Sequence, residues 1–121
     1  MAEKRGGDFG ASWVASGDLS GSQFRLVTFV GNDCYLPGSG AFCAGVLQNK
    51  PKDNEHAAVI HQGFSKLFLG TSLGAQQEVM AGPNGGGILA SSGQMVHAIT
   101  LTAGNSGEII DAEVVKYRKY A

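Results

Sequence analysis

The 121-residue chain has little of what catalysis, membranes or nucleic acids require. No apolar run approaches the ~18 residues of a helical membrane span, so no membrane insertion is expected. Gly6, Gly7 and Asp8 stand where a secretory signal would carry its apolar stretch, so no signal is expected. There are only two cysteines, Cys34 and Cys43. Without a secretory context they are expected as free thiols, although pairing across a hairpin is the alternative. Charge of either sign is sparse and balanced, nine Lys and Arg against ten Asp and Glu. That balance excludes a nucleic-acid binder that works by neutralising many phosphates.

Catalytic patterns are missing as well. Gly63-Phe64-Ser65-Lys66-Leu67 comes nearest to a nucleophile elbow, but Leu67 stands where the second glycine belongs. The glycine-rich stretch Gly82-Pro83-Asn84-Gly85-Gly86-Gly87 lacks the Gly-Lys-Ser/Thr ending of a phosphate loop and is followed by no helical pattern. It reads as a flexible loop tip between two strands. The histidines are His56, His61 and His97. On an extended strand the spacing of the first two puts them on opposite faces, which is wrong for a shared metal. Asp111 and Glu113 share one face of a strand and read as its polar side. No enzyme activity, no cofactor and no metal are therefore expected.

What the chain does have is glycine: 19 residues, against only three prolines. They are scattered between short apolar runs, which suits many tight turns. Extended segments are expected over residues 24–30, 34–36, 41–47, 57–60, 64–69, 78–81, 88–90 and 108–117, with 96–101 either a strand or a few helical turns. The expectation is an all-β body of about seven or eight short strands, a small sandwich or barrel, with an extended N-terminal arm. Glycine raises the entropy lost on folding, so the body is expected to lean on partners and to self-associate through sheet edges and apolar surface.

Three regions follow: an arm over residues 1–17, a β domain over 18–117, and a basic tail over 118–121. The arm is too polar and glycine-rich to fold alone, yet it carries Phe9 and Trp13. It reads as a leader without fixed structure or as an arm whose aromatics dock into a neighbour. The second reading is adopted because two such large apolar side chains suit anchors. Lys4 and Arg5 would sit at the rim of that contact. The cluster Lys116, Arg118 and Lys119, interleaved with Tyr117 and Tyr120, reads as a solvated terminus, with contact to nucleic acid or to an acidic protein patch as the alternative.

An ordered series of short motifs adds to this. Asp18-Leu19-Ser20 is followed by Gln23-Phe24 and Val27, then Gly45-Val46-Leu47-Gln48-Asn49-Lys50-Pro51. Ala58-Val59 with Gly63 and Lys66 comes next, then Ala103-Gly104 with Gly107-Glu108-Ile109-Ile110. In order and spacing the series resembles the small decoration (cement) proteins of tailed-phage capsids. The chain departs from that pattern over Leu73 to Met80, which lacks the usual glycine-acid turn, and in the length of its glycine loop. The resemblance implies a virion structural protein, made in the host cytoplasm, that binds the outer surface of a capsid and stabilises it. It also implies the major capsid protein as partner and a homotrimer. The arm and the basic tail lie outside the matched pieces, and the capsid or subunit contacts expected there, Phe9, Trp13, Lys4, Arg5, Lys116, Arg118 and Lys119, rest on the reading of those residues themselves. The alternatives are a phage tail or baseplate adaptor, or a small ligand-binding β-barrel.

Overall fold

A computed structural model describes residues 13–119. The body is all-β, with eleven strands and a single 3-10 turn, Pro83–Gly85, among the described residues. The strands are β1 Trp13–Ala15, β2 Leu26–Val30, β3 Asp33–Tyr35, β4 Gly45–Leu47, β5 His56–Ala57 and β6 Val59–Ile60. They continue with β7 Gly63–Phe68, β8 Glu78–Ala81, β9 Gly87–Leu89, β10 Met95–Thr100 and β11 Ile109–Arg118. The count exceeds the expected seven or eight because Trp13–Ala15 in the expected arm is a strand, the run over 57–60 divides, and the ambiguous 96–101 is strand; other runs are cut short. Phe24 sits at φ 70, outside the extended region, so β2 starts at Leu26. The run expected over 41–47 narrows to Gly45–Leu47, and that over 57–60 splits around Ala58. The ambiguous segment 96–101 is strand, since β10 pairs with both β8 and β11.

Two sheets form, in the orders β5-β1-β3-β2-β4-β6 and β7-β11-β10-β8-β9. The first rolls until its ends meet. β5 pairs with β1 at one end of the order and β6 with β4 at the other, and only Ala58 separates β5 from β6. Closure of this kind removes free edges, so this sheet offers no template for the edge-to-edge association expected from the sequence. The second sheet curls as well, with Leu69 bridging to Gly87 beyond the edge strand β7.

Strands β2 and β4 form a wall shared by two cores. Successive side chains on a strand point to opposite faces. Leu26 and Val46 pack with Leu67, Leu69, Val79, Ala98, Ile110 and Val114 beneath the five-stranded sheet. Val27 and Leu47 face the other way, among Trp13, Ala15, Leu19, Cys34, Ala57 and Val59 inside the rolled sheet. Both faces of the wall are dry, so its residues read as continuous apolar pairs. β11 instead alternates, with Ile110, Ala112 and Val114 buried and Ile109, Asp111 and Glu113 exposed. Each fully buried Leu or Val stabilises by about 1.5–3 kcal/mol.

The motif Gly45 to Pro51 builds the closure. A Cβ on Gly45 would lie 2.1 Å from the Ile60 carbonyl oxygen, so only glycine lets β4 run this close to β6. The Asn49 amide donates to the His56 carbonyl at 2.9 Å, and its Oδ1 accepts the Ala58 N–H at 3.0 Å. One side chain thus supplies the pairing that the break between β5 and β6 would lose. The Pro51 carbonyl accepts the Leu19 N–H at 2.9 Å, tying down the Asp18-Leu19-Ser20 turn.

The glycine loop differs from its expectation. Gly85 is buried, and a Cβ there would stand 2.2 Å from the Leu26 carbonyl oxygen. One on Gly87 would meet Val79 at 2.9 Å. The stretch is packed against the start of β2 and against β8, and its glycines serve close backbone approach rather than looseness.

Candidate interaction surfaces

Of the seven contact residues expected from sequence, Phe9, Lys4 and Arg5 lie outside the described residues. The expected arm boundary at residue 17 is corrected, because Trp13–Ala15 is a strand of the rolled sheet. β1 pairs in parallel with β3 and antiparallel with β5. Trp13 is 9% exposed and stacks on Phe29 of its own chain, with ring centroids 4.6 Å apart. Burial against Phe29 and the inner cluster makes it a core residue, not an anchor held out on an arm.

The expected basic tail is corrected in the same way up to residue 119. Arg118 ends β11 and donates from Nη1 to the Gly93 carbonyl at 2.6 Å. Lys119 Nζ lies 3.0 Å from Glu78 Oε1, and the Tyr117 hydroxyl donates to the other oxygen of that carboxylate. These contacts hold the Glu78 carboxyl below its usual range, and Glu78 pushes the Tyr117 phenol up to about 12. Backbone bonds between Gly93 and Lys119 and between Lys119 and Gln94 complete the attachment. The terminal strand is fastened to β8 and to the turn before β10, so Arg118 and Lys119 serve their own fold.

Lys116 is placed differently. Between Val96 and Ala98 on β10 the register with β11 jumps from Tyr117 to Val114, so β11 carries an extra residue opposite His97. A bulge of this kind re-aims side chains. Lys116 Nζ donates to the Ala44 carbonyl at 2.7 Å and lies 5.5 Å from the Phe42 ring centroid. With Trp13, Phe29 and His61 these residues line an open groove of about 250 Å³. Its walls are apolar and partly in water: Phe42 is 53% exposed and Phe29 38%. Desolvation lowers the Lys116 ammonium from its usual range, and no carboxylate among the described residues comes within ion-pair distance.

Behind the groove His97 is fully buried, with its ring edge-on to Phe42 at 5.8 Å. Its Nε2 accepts the Cys43 N–H at 3.2 Å, and its Nδ1 has no hydrogen-bond partner. Burial, aided by the charge of Lys116 and opposed by the Ala41 carbonyl, lowers its pKa to about 4, so it is neutral at pH 7. Phe29, Phe42, His61 and His97 have no local sequence signal as a set; the topology alone brings them together.

A second apolar surface is the outer face of the five-stranded sheet, where Phe64, Leu101 and Ile109 are exposed. On this side Lys66 meets Asp111 at 2.7 Å, and the Arg25 guanidinium lies 4.1 Å over the Phe68 ring. Phe64, Leu101, Lys66, Asp111 and Gln48 line a shallow hollow of about 450 Å³ on this side.

The remaining chemical candidates are not brought together. Ser65 Oγ donates to the Lys66 carbonyl and accepts from Gln48, with no imidazole among these partners. Among the described residues no three His, Cys, Asp or Glu side chains stand close enough to hold a metal ion. Cys34 and Cys43 are both buried and belong to different cores. Among the described residues no helix is long and apolar enough to cross a membrane.

No protein-family model matches this chain, and no curated protein does. Among solved structures the chain is similar to the head fiber gp8.5 N base in bacteriophage phi29, with a TM-score of 0.75 and 8% sequence identity. The match covers 92% of this chain and 97% of that one, so nearly the whole chain shares the fold of that protein.

Proposed function

We propose that this protein is a virion structural protein that binds the outer surface of a tailed-phage capsid and stabilises it. The observation that carries the reading is the fold likeness along nearly the full length of both chains to the base of a phage head fiber. Its filled cores and exposed aromatic surfaces agree with a protein that works by contact. It has no enzymatic role in this reading. Copies arranged by capsid symmetry gain avidity from individually weak contacts, and the copies associate as a homotrimer. Closure of the rolled sheet favours association through side-chain surfaces over strand addition.

The test uses particles of the source phage assembled without this protein. Purified protein is added, and the particles are sedimented through a gradient. Stoichiometric co-sedimentation and survival to a higher temperature are expected. Particles that emerge bare overturn the capsid role, and bound particles of unchanged thermal survival overturn the stabilising role. Sedimentation velocity at micromolar concentration is expected to give three times the subunit mass, and a stable monomer would remove the trimer.

A further inference from the structure

We propose that the groove beside Lys116 receives an extended segment of the capsid shell protein, with one apolar side chain entering between Phe29 and Phe42 and a neighbouring carboxylate pairing with Lys116. The inference rests on the capsid reading above and gives that contact a surface and a partner chemistry.

Charge contributes to the choice of this surface. Lys66 and Lys119 each meet a carboxylate of their own chain. Lys116 meets none among the described residues, although its ammonium is partly desolvated against Phe42 and Ala44. The Ala44 carbonyl uses one of three N–H donors and leaves two for a ligand. Lys116 is exposed at the surface, and a partner carboxylate adds a charge-assisted hydrogen bond to its open donors. The outer face of the five-stranded sheet is also apolar, but Lys66 and Asp111 already neutralise each other there.

Shape and side-chain type agree. About 250 Å³ admits a side chain or two of an extended segment rather than a whole element. Phe29 and Phe42 present aromatic walls to water, and aromatic residues are over-represented among the anchors of protein interfaces. The floor is rigid: Trp13 stacks beneath Phe29, and His97 holds the Cys43 backbone beside Phe42. A preformed site spends less ordering entropy on binding.

The experiment adds wild-type protein and the variants Phe42→Ser, Lys116→Glu, Lys116→Arg and Phe64→Ser to source-phage particles lacking the protein. Each variant is first checked for wild-type circular dichroism and melting temperature. Phe42→Ser and Lys116→Glu are expected to lower occupancy at least tenfold, whereas Lys116→Arg and Phe64→Ser stay within about twofold of wild type. Should a groove variant fail to fold, a benzoyl-phenylalanine crosslinker at position 42 of the otherwise native chain replaces it. Its adduct is expected on an acidic segment of the shell protein. An adduct on residues 1–12 of this chain or on a second copy overturns the proposal. So does wild-type occupancy by both groove variants, or an equal loss with Phe64→Ser. In those cases the wild type still binds and the capsid role stands; a wild type that fails to bind removes both.

Discussion

At Gly85 the backbone runs at φ +81, and a Cβ would stand 2.2 Å from the Leu26 carbonyl oxygen. Gly31 has a similar sign of φ, +59, but open space where its Cβ would be. The left-handed conformation alone costs an L-residue about 1 kcal/mol, so Gly31→Ala is expected to cost about that much. Gly85→Ala adds a backbone collision that must push the loop off β2, and is expected to cost more than about 2 kcal/mol. Urea midpoints of the two variants against wild type check the difference. His97 makes a second prediction at this scale. It folds buried and neutral with a pKa lowered to about 4, against 6.5 for a free imidazole. Between those values the unfolded chain binds a proton that the folded chain refuses. Stability is therefore complete above about pH 6.5 and falls as pH drops toward 4, by on the order of 3 kcal/mol. Urea unfolding at a series of pH values should show this slope, and His97→Gln should flatten it.

The closing strands depend on one side chain. β5 and β6 pair with β1 and β4 over two residues each, too little to hold a barrel shut by ladder bonds alone. Asn49 adds its two bonds to His56 and Ala58 at the point where these strands separate. Asn49→Ala leaves both backbone groups without that partner; the bonds are exposed and part-buried, and a hydrogen bond of this kind contributes about 0.5–1.5 kcal/mol. The expected loss is of that size, and it is local. Amide exchange at Ala58 should accelerate well beyond exchange at the β10 and β11 amides, which pair along a longer ladder. Uniform acceleration across both sheets would place the role of Asn49 elsewhere.

Over the whole molecule, the shared wall couples the two cores. Leu26 and Val46 serve one and Val27 and Leu47 the other from the same two strands, so neither core can open without damaging its neighbour. The cysteines report on this, since Cys34 lies in one core and Cys43 in the other. Burial pushes their thiols up to about 11 and about 12, which leaves almost no reactive thiolate in the native state. Both are expected to resist iodoacetamide in native buffer and to react when the chain unfolds. Leu47→Ala is expected to cost about 2–5 kcal/mol and to speed the labelling of both thiols together. Faster labelling of Cys34 alone would mean that the cores open separately.

The all-β class was legible in the chain because it rests on local pattern. Short apolar runs stopped by glycine, and the alternation of β11, depend only on neighbours in sequence and on the two-residue period of a strand. The paired apolar residues of the wall, Val46-Leu47, were equally visible as a strand, though not as one dry on both faces. Other features were decided in three dimensions. Trp13 reads as a solitary aromatic in a polar segment, and its partners Phe29 and Ala57 are distant in sequence. Gly82 to Gly87 reads as a loose loop because glycine is used both for freedom and for close approach, and only the nearness of Leu26 and Val79 distinguishes the two. Lys116 was legible as a cation. That it meets no carboxylate among the described residues in its aromatic groove, while Lys119 is taken by Glu78, follows from a bulge that composition does not encode. The groove draws residues from β1, β2, the loop before β4, the turn after β6, and β11. Chain folding sets their proximity, and no spacing along the sequence records it.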